Sequence, residues 1–191
     1  MSCNEYEMTI AERPIGANAP PYVIAELSAN HNGNIETALR IIEEAKNAGA
    51  DAVKLQTYTA DTITLNSDTE DFQIHGGLWD GRTLYDLYQE AHTPWAWHAP
   101  LFEHARSLDI TIFSSPFDNT AVDLLEDLNA PAYKIASFEM TDLNLVKKIC
   151  QTKKPIIIST GMANLKEIET TVKVAKESGV KDLTLLYCVS N

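Results

Sequence analysis

Apolar residues along this chain follow two alternating rhythms. Six short runs, at 22–27, 52–56, 110–114, 132–136, 155–159 and 183–188, are nearly continuous in apolarity and rich in Val, Ile, Leu or Tyr. A strand covered on both faces reads this way, because neither face meets water. Between the runs, apolar positions recur at helical spacing. Ile35, Ala38, Leu39, Ile42 and Ala45 share one face of a predicted helix over 34–48, with Glu36, Arg40, Glu43 and Glu44 mainly opposite. Lys46 and Gly49 close that helix with a cation near its negative end and a glycine cap. Leu165, Ile168, Val172 and Ala175 repeat the pattern up to Ser178-Gly179, and 119–128 and 142–151 read as two more helices.

Strand–helix alternation predicts parallel strands joined by crossover connections. Most strands follow one another at about 20–30 residues, the length of a compact βα unit. The interval between Gln56 and Ile110 is far longer. It holds a polar stretch over 57–82, with Gly76-Gly77 and Asp80-Gly81, and then helical segments at 84–91 and 94–108. An insertion after the C-terminal end of a parallel strand is where substrate loops sit; a peripheral excursion is the alternative. Ahead of the first full strand, 8–11 and 14–17 form a candidate hairpin, which in a barrel would plug the N-terminal face.

Composition narrows the class. The chain has 191 residues, 45% of them apolar and 22% charged, the balance of a folded domain. Acidic side chains outnumber basic ones 27 to 15, for a net charge of −12. That balance argues against nucleic acid and against an anionic membrane surface as partners. No apolar run reaches the length of a bilayer span, and the N-terminus lacks the basic and hydrophobic regions of a signal peptide. Cys3, Cys150 and Cys188 are few and far apart, as expected of reduced thiols in a cytoplasm. The expectation is a soluble, cytoplasmic α/β domain.

Candidate chemistry lies at the C-terminal ends of the predicted strands. In chain order these ends carry Glu26, Lys54 with Gln56, Ser114 with Ser115, Lys134 with Ser137, Ser159 with Thr160, and Ser190 with Asn191. Serine and threonine there often only cap the next helix. Lys54 and Lys134 are different, because each stands among apolar neighbours inside a strand, where an ammonium without an anion incurs a large desolvation penalty. Two lysines and several hydroxyls at one rim form a cradle for a small, highly charged anion, such as a phosphorylated carboxylic acid. Glu26 and Glu139 are the nearest carboxylates, suited to a sugar hydroxyl, a water or a proton in transit; structural ion pairs with the two lysines are the alternative. His31, in Asn30-His31-Asn32-Gly33, lines the site or merely forms a polar turn. His75, His92, His98 and His104 show no metal-ligand spacing, so no metal site is expected in this chain. Trp79, Trp95 and Trp97 are expected to pack the insertion rather than stack on a sugar. Gly161 permits a tight turn with exposed amides.

The stretch Ile24-Ala25-Glu26-Leu27-Ser28-Ala29-Asn30-His31-Asn32-Gly33 resembles the opening motif of the sialic-acid synthase family. So do Val53-Lys54-Leu55-Gln56-Thr57, Phe113-Ser114-Ser115-Pro116-Phe117, Ala132-Tyr133-Lys134-Ile135-Ala136-Ser137-Phe138-Glu139 and Ile158-Ser159-Thr160-Gly161-Met162, in the family's order. Glu26 through His31, Gly77 through Arg82 and Thr93-Pro94-Trp95 look like the pseudaminic branch, as does Phe138 in place of a Gly common in the N-acetylneuraminate branch. The resemblance implies a TIM (β/α)8-type barrel, here truncated after about six βα units, with the small N-terminal hairpin. It implies a transferase that condenses phosphoenolpyruvate with 2,4-diacetamido-2,4,6-trideoxy-L-altrose and releases phosphate. By that resemblance Lys54, Ser115, Lys134, Ser137, Ser159 and Asn191 hold phosphoenolpyruvate. Glu26 helps position it, Gln56 lies near the aldehyde, and Glu139 orients the attacking water or a metal-bound water. Ser115 stands where many relatives have Thr, which keeps the hydroxyl.

The family also implies a divalent metal, Mn or Mg, whose histidine ligands lie on later strands beyond Asn191. It implies a homodimer in which an antifreeze-like C-terminal domain reaches the partner's site. Residues 1–191 are therefore expected to be the N-terminal part of the catalytic barrel, without those parts. Three alternatives remain at this stage: an N-acetylneuraminate synthase acting on N-acetylmannosamine, a Schiff-base aldolase using Lys54 or Lys134, and an inactive anion-binding fragment.

Overall fold

The computed structural model describes residues 8–188. Its main sheet has six parallel strands: β3 (Ile24–Glu26), β4 (Ala52–Thr57), β5 (Thr111–Pro116), β6 (Tyr133–Ile135), β7 (Ile156–Ser159) and β8 (Leu183–Leu186). All six fall on the runs predicted from apolarity. Ahead of them β1 (Met8–Ile10) and β2 (Arg13–Ile15) form an antiparallel hairpin. Each strand of the main sheet pairs with its predecessor in chain order. A doubly wound sheet reverses strand order at a switch point; a barrel does not. The sheet is accordingly a curled half-barrel with helices outside.

Residue alternation along each strand sorts side chains into two layers. The outer layer includes Val53, Leu55, Ile112, Tyr133, Ile135, Ile156 and Ile158, which pack under the helices in the larger core. The inner layer begins with Ala52, Phe113, Ala132 and Ile157, on which Met8 and Ile10 of the hairpin close. The N-terminal end of the half-barrel is thus plugged as the sequence suggested, and two residues further along each strand the inner face turns polar.

Helices α1 (Ile35–Asn47), α5 (Asn119–Asp127), α6 (Leu143–Gln151) and α7 (Leu165–Glu177) connect the strands. Their starts are set by local chemistry. Asn34, Asp118, Asp142 and Asn164 each accept backbone N–H groups of the first turn. In α1 the buried residues are Ala38 and Ile42, with Leu39 and Ala45 packed beside them, as its periodicity requires. Leu165 departs from the pattern. As the first residue of α7 it stands at the open rim, 71% exposed, and Thr171 takes a buried place on the inner face instead.

The long interval between β4 and β5 contains α2 (Ala60–Ile63), two short 3-10 turns (Glu70–Phe72 and Gly77–Trp79), α3 (Leu84–Ala91) and α4 (Trp95–Ser107). The segment from Ile74 to Arg82 braces itself: Ile74 N donates to Arg82 O at 2.9 Å, Gly81 N to Ile74 O at 2.9 Å, and Gly76 N to the Asp80 carboxylate at 2.6 Å. Tyr85 OH donates to Asp61 at 2.9 Å and ties α3 to α2. Helix α4 returns to the outer layer, where Leu101, Phe102 and Ala105 are buried.

Candidate active site

The polar end of the half-barrel collects residues two apart on neighbouring strands. Register places Glu26 beside Lys54, and Gln56 beside Ser115. Because Ala52 and Phe113 face inward, so do Lys54, Gln56 and Ser115. Ala132 and Ile157 bring Lys134 and Ser159 to the same face by the same alternation. Ser137 lies just beyond β6 and Glu139 opens a 3-10 turn, Glu139–Thr141. Seven of the sequence-predicted residues thus share one rim, with Glu139 on the turn beside it. The last candidate, Asn191, lies with Ser190 outside the described residues.

The two lysines have unlike surroundings. Lys54 is buried, 7% exposed, and its Nζ lies 2.7 Å from Glu26 Oε2. The ion-pair alternative therefore describes this lysine. Lys134 has no carboxylate within ion-pair distance among the described residues; its Nζ donates to Ile135 O at 3.2 Å. Burial, with the Lys54 ammonium adding repulsion, brings its pKa down to about 8 against the weaker pull of Glu26 and Glu139. Burial pushes the Glu139 carboxyl up, with Lys134 pulling it back in part. Two buried oxygens at this rim, Ser115 Oγ and Glu139 Oε2, have no hydrogen-bond partner among the described residues. Such orphans are costly unless a ligand or water completes them.

Gly161 follows β7 at φ +44°, and a Cβ there would lie 2.3 Å from Ser137 Cβ. Only glycine lets the turn after β7 close on Ser137. Behind the strands, a buried hydrogen-bond chain holds β4, β5 and α4 together. His98, with its pKa brought down to about 4 by burial, is neutral at physiological pH. Its Nδ1–H donates to Pro94 O at 3.2 Å, and Nε2 accepts from Thr57 Oγ1 at 2.9 Å. Thr57 Oγ1 accepts in turn from Ser114 Oγ at 2.6 Å. Ser114 is thus structural, whereas Ser115 beside it faces the pocket.

A cleft of about 510 Å³ continues from Gln56 toward the insertion, lined among others by Asn30, Asn32, Tyr58, Trp79, Leu87 and Tyr88. Tyr58 meets Tyr88 and Phe117 edge-on, at ring separations of 5.6 and 5.3 Å. The Tyr88 hydroxyl is raised by burial and by the charge of Glu139, and Leu87 and Tyr88 of α3 line the same cleft as Gln56. The insertion therefore shares a cleft with the strand end that carries Gln56. Sequence reasoning passed over Tyr58 and Tyr88. The signal available was position: Tyr58 directly follows the predicted strand that carries Lys54 and Gln56.

The Asn30–Gly33 turn divides its roles. Asn30, Asn32 and Gly33 line the cleft, whereas His31 is fully buried, accepting from Gly33 N at 3.1 Å and meeting Thr93 at 3.3 Å and Trp97 edge-on. Trp97 packs as expected, but Trp79 faces the cleft at 49% exposed. His75 pairs with Glu70, His104 with Glu43, and His92 with the Gln89 carbonyl. Among the described residues no three His, Cys, Asp or Glu side chains converge, so by themselves they do not fit a divalent metal. Cys150 is buried and Cys188 half-buried. No helix of the described residues is long and apolar enough to cross a membrane.

Comparison with known proteins identifies the family of the chain. The chain is 53% identical to the pseudaminic acid synthase of Helicobacter pylori over 171 residues, 90% of this chain and 50% of that protein. It is also 53% identical to the pseudaminic acid synthase of Campylobacter jejuni over 169 residues, 88% of this chain and 49% of that one. It spans about half the length of these relatives. The crystal structure of the N-acetylneuraminic acid synthetase of Leptospira borgpetersenii, in complex with citrate, superposes with a TM-score of 0.84 at 29% identity, covering 98% of this chain and 60% of that one. With the NeuB family model matched over residues 41–191, the chain belongs to the NeuB family of sialic-acid-synthase-like proteins.

Proposed function

We propose that residues 1–191 are the N-terminal part of a catalytic barrel and carry the phosphoenolpyruvate half-site of a pseudaminic-acid-type synthase. The observation that carries this reading is the half-buried Lys134, without a carboxylate partner among the described residues, beside Lys54 and the orphan Ser115 hydroxyl. Two ammonium groups of which one already has a carboxylate leave an excess positive charge, and a phosphate-bearing carboxylate neutralises it. The identity to two pseudaminic acid synthases supports that branch over the N-acetylneuraminate one.

In this reading Lys54, Lys134, Ser115, Ser137, Ser159 and Asn191 hold phosphoenolpyruvate, and Glu26 keeps Lys54 oriented while helping to position it. Gln56 lies on the side where the cleft opens, suited to the aldehyde of the open-chain sugar, 2,4-diacetamido-2,4,6-trideoxy-L-altrose. The methylene carbon of phosphoenolpyruvate bonds to the aldehyde carbon as the C=C and C=O π bonds open, and the aldehyde oxygen takes up a proton to become a hydroxyl. Water adds to the resulting cationic carbon, and the tetrahedral intermediate releases phosphate by breaking its C–O bond. Glu139, with a carboxyl raised by burial, is suited to orient that water and take its proton. The described residues assign no step to a metal.

Calorimetry with phosphoenolpyruvate tests the pocket. Lys54→Ala and Lys134→Ala each weaken binding by about 2–5 kcal/mol, because each leaves the anion underpaired. Unchanged affinity in both variants overturns the reading.

A further inference from the structure

The aromatic cleft beside Gln56 is not needed to hold a phosphorylated acid, yet it is built with care at some cost. Its apolar wall is Tyr58, Trp79, Leu87 and Tyr88. Tyr58 is 3% exposed and braced between Tyr88 and Phe117, so the wall is rigid at its base. At the mouth, Trp79 is presented by the self-braced segment in which Gly76, Gly77 and Gly81 all have positive φ, 79°, 74° and 79°. A side chain is strained at such angles, so the segment's shape depends on these glycines. Core packing does not account for it, because neighbouring Leu78 is 92% exposed and Trp79 belongs to neither core cluster. A half-exposed indole on a braced loop, facing a cavity, has the chemistry of a ligand-stacking group. Asn30 adds a polar point. Its Nδ2 donates to Leu27 O at 3.0 Å, which leaves Oδ1 to accept from an amide N–H.

We propose that this wall determines which sugar the site takes: it receives the methyl-bearing groups of a diacetamido, 6-deoxy sugar, with Trp79 as its outer face and Asn30 meeting an acetamido N–H. The inference rests on the phosphoenolpyruvate-synthase reading above. Acetyl methyls and a C6 methyl gain from leaving water against aromatic rings. A sugar with hydroxyls at C4 and C6, such as N-acetylmannosamine, loses their hydration without replacement hydrogen bonds. An apolar pocket discriminates by hydroxyl only moderately, so a preference of about tenfold to a hundredfold is expected.

The test measures two ligands separately on wild-type chain and on Trp79→Ala and Trp79→Phe. Phosphoenolpyruvate is titrated by calorimetry, and the diacetamido sugar and N-acetylmannosamine are followed by saturation-transfer NMR. In the wild type the acetyl and C6 methyls should receive the strongest saturation. Trp79→Ala should weaken the diacetamido sugar about tenfold, with little change for N-acetylmannosamine or phosphoenolpyruvate, and Trp79→Phe should restore most of the loss. If wild type and Trp79→Ala bind phosphoenolpyruvate but hold the diacetamido sugar equally well, or not at all, the cleft assignment is wrong while the anion pocket stands. If wild type does not bind phosphoenolpyruvate, the underlying reading is wrong and this inference goes with it.

Discussion

Lys134 sits in a conflict that its own strand creates. Alternation turns it inward with Ser159, burial strips its water, and Lys54 repels it, so its pKa comes down to about 8 from 10.5. The unfolded chain binds the proton more tightly between pH 8 and 10.5. Burying the charge therefore costs stability below pH 8, and that cost fades as pH rises toward 10.5. Lys134→Met should stabilise the ligand-free chain at pH 7 by about 1–2 kcal/mol in urea unfolding, after allowance for partial solvent screening, while weakening phosphoenolpyruvate binding as Lys134→Ala does. The same group sets a pH dependence for the ligand. Affinity should be nearly flat below pH 8 and about tenfold weaker at pH 9 than at pH 7, since only the ammonium form attracts the anion. A flat calorimetric profile from pH 7 to 9.5 would mean that Lys134 is not in contact with it. The two lysines were legible as candidates because a cation inside an apolar run is anomalous in sequence. Their unlike partners were not, since the distance from Lys54 to Glu26 depends on the pairing of two strands.

At the scale of elements, the chain Ser114–Thr57–His98–Pro94 joins the ends of β4 and β5 to α4. It fixes the backbone on which Gln56 and Ser115 are mounted, because each of these adjoins a member of the chain. His98 is neutral when folded, with a pKa of about 4, and titrates near 6.5 when unfolded. The unfolded state thus gains protons first as pH falls, so stability is fully present above pH 6.5 and is lost progressively down to about pH 4. Urea unfolding should show a loss of up to about 3 kcal/mol across that window from this residue, and Thr57→Val, which leaves His98 Nε2 and Ser114 Oγ without partners, should cost about 1–3 kcal/mol at pH 7. An acid profile unchanged in His98→Gln would refute the assignment. Element boundaries were largely readable from periodicity and caps. The insertion was readable only as an excess of length, because a polar stretch does not specify which way it folds back. Its course over the rim depends on contacts such as Tyr85 with Asp61 and Tyr58 with Tyr88, between residues far apart in the chain.

The whole molecule is a sheet with two unpaired edges among the described residues, β3 and β8. The β8 edge is also apolar: Leu185, Leu186 and Tyr187 are 42%, 43% and 89% exposed. A strand bonded on one side opens more readily than one bonded on both. Amide exchange followed by mass spectrometry should therefore find Leu183–Leu186 much less protected than Ala52–Thr57 and Thr111–Pro116. Equal protection would show that a further part of the protein covers the edge.

The sequence by itself determined the strand–helix alternation, the six strand positions, the motif series of the sialic-acid synthase family and the two anomalous lysines. These are local signals, written in periodicity, caps and the desolvation cost of single side chains. Tertiary structure decided the rest: that consecutive strands pair in order and curl, that His31 and Ser114 turn away from the pocket while Tyr58, Trp79 and Tyr88 turn toward a cleft, and that Lys134 keeps no carboxylate partner among the described residues. Those outcomes depend on register, since moving a strand by one residue exchanges its inner and outer faces. Register is settled by packing between segments distant in the chain, which no local pattern encodes.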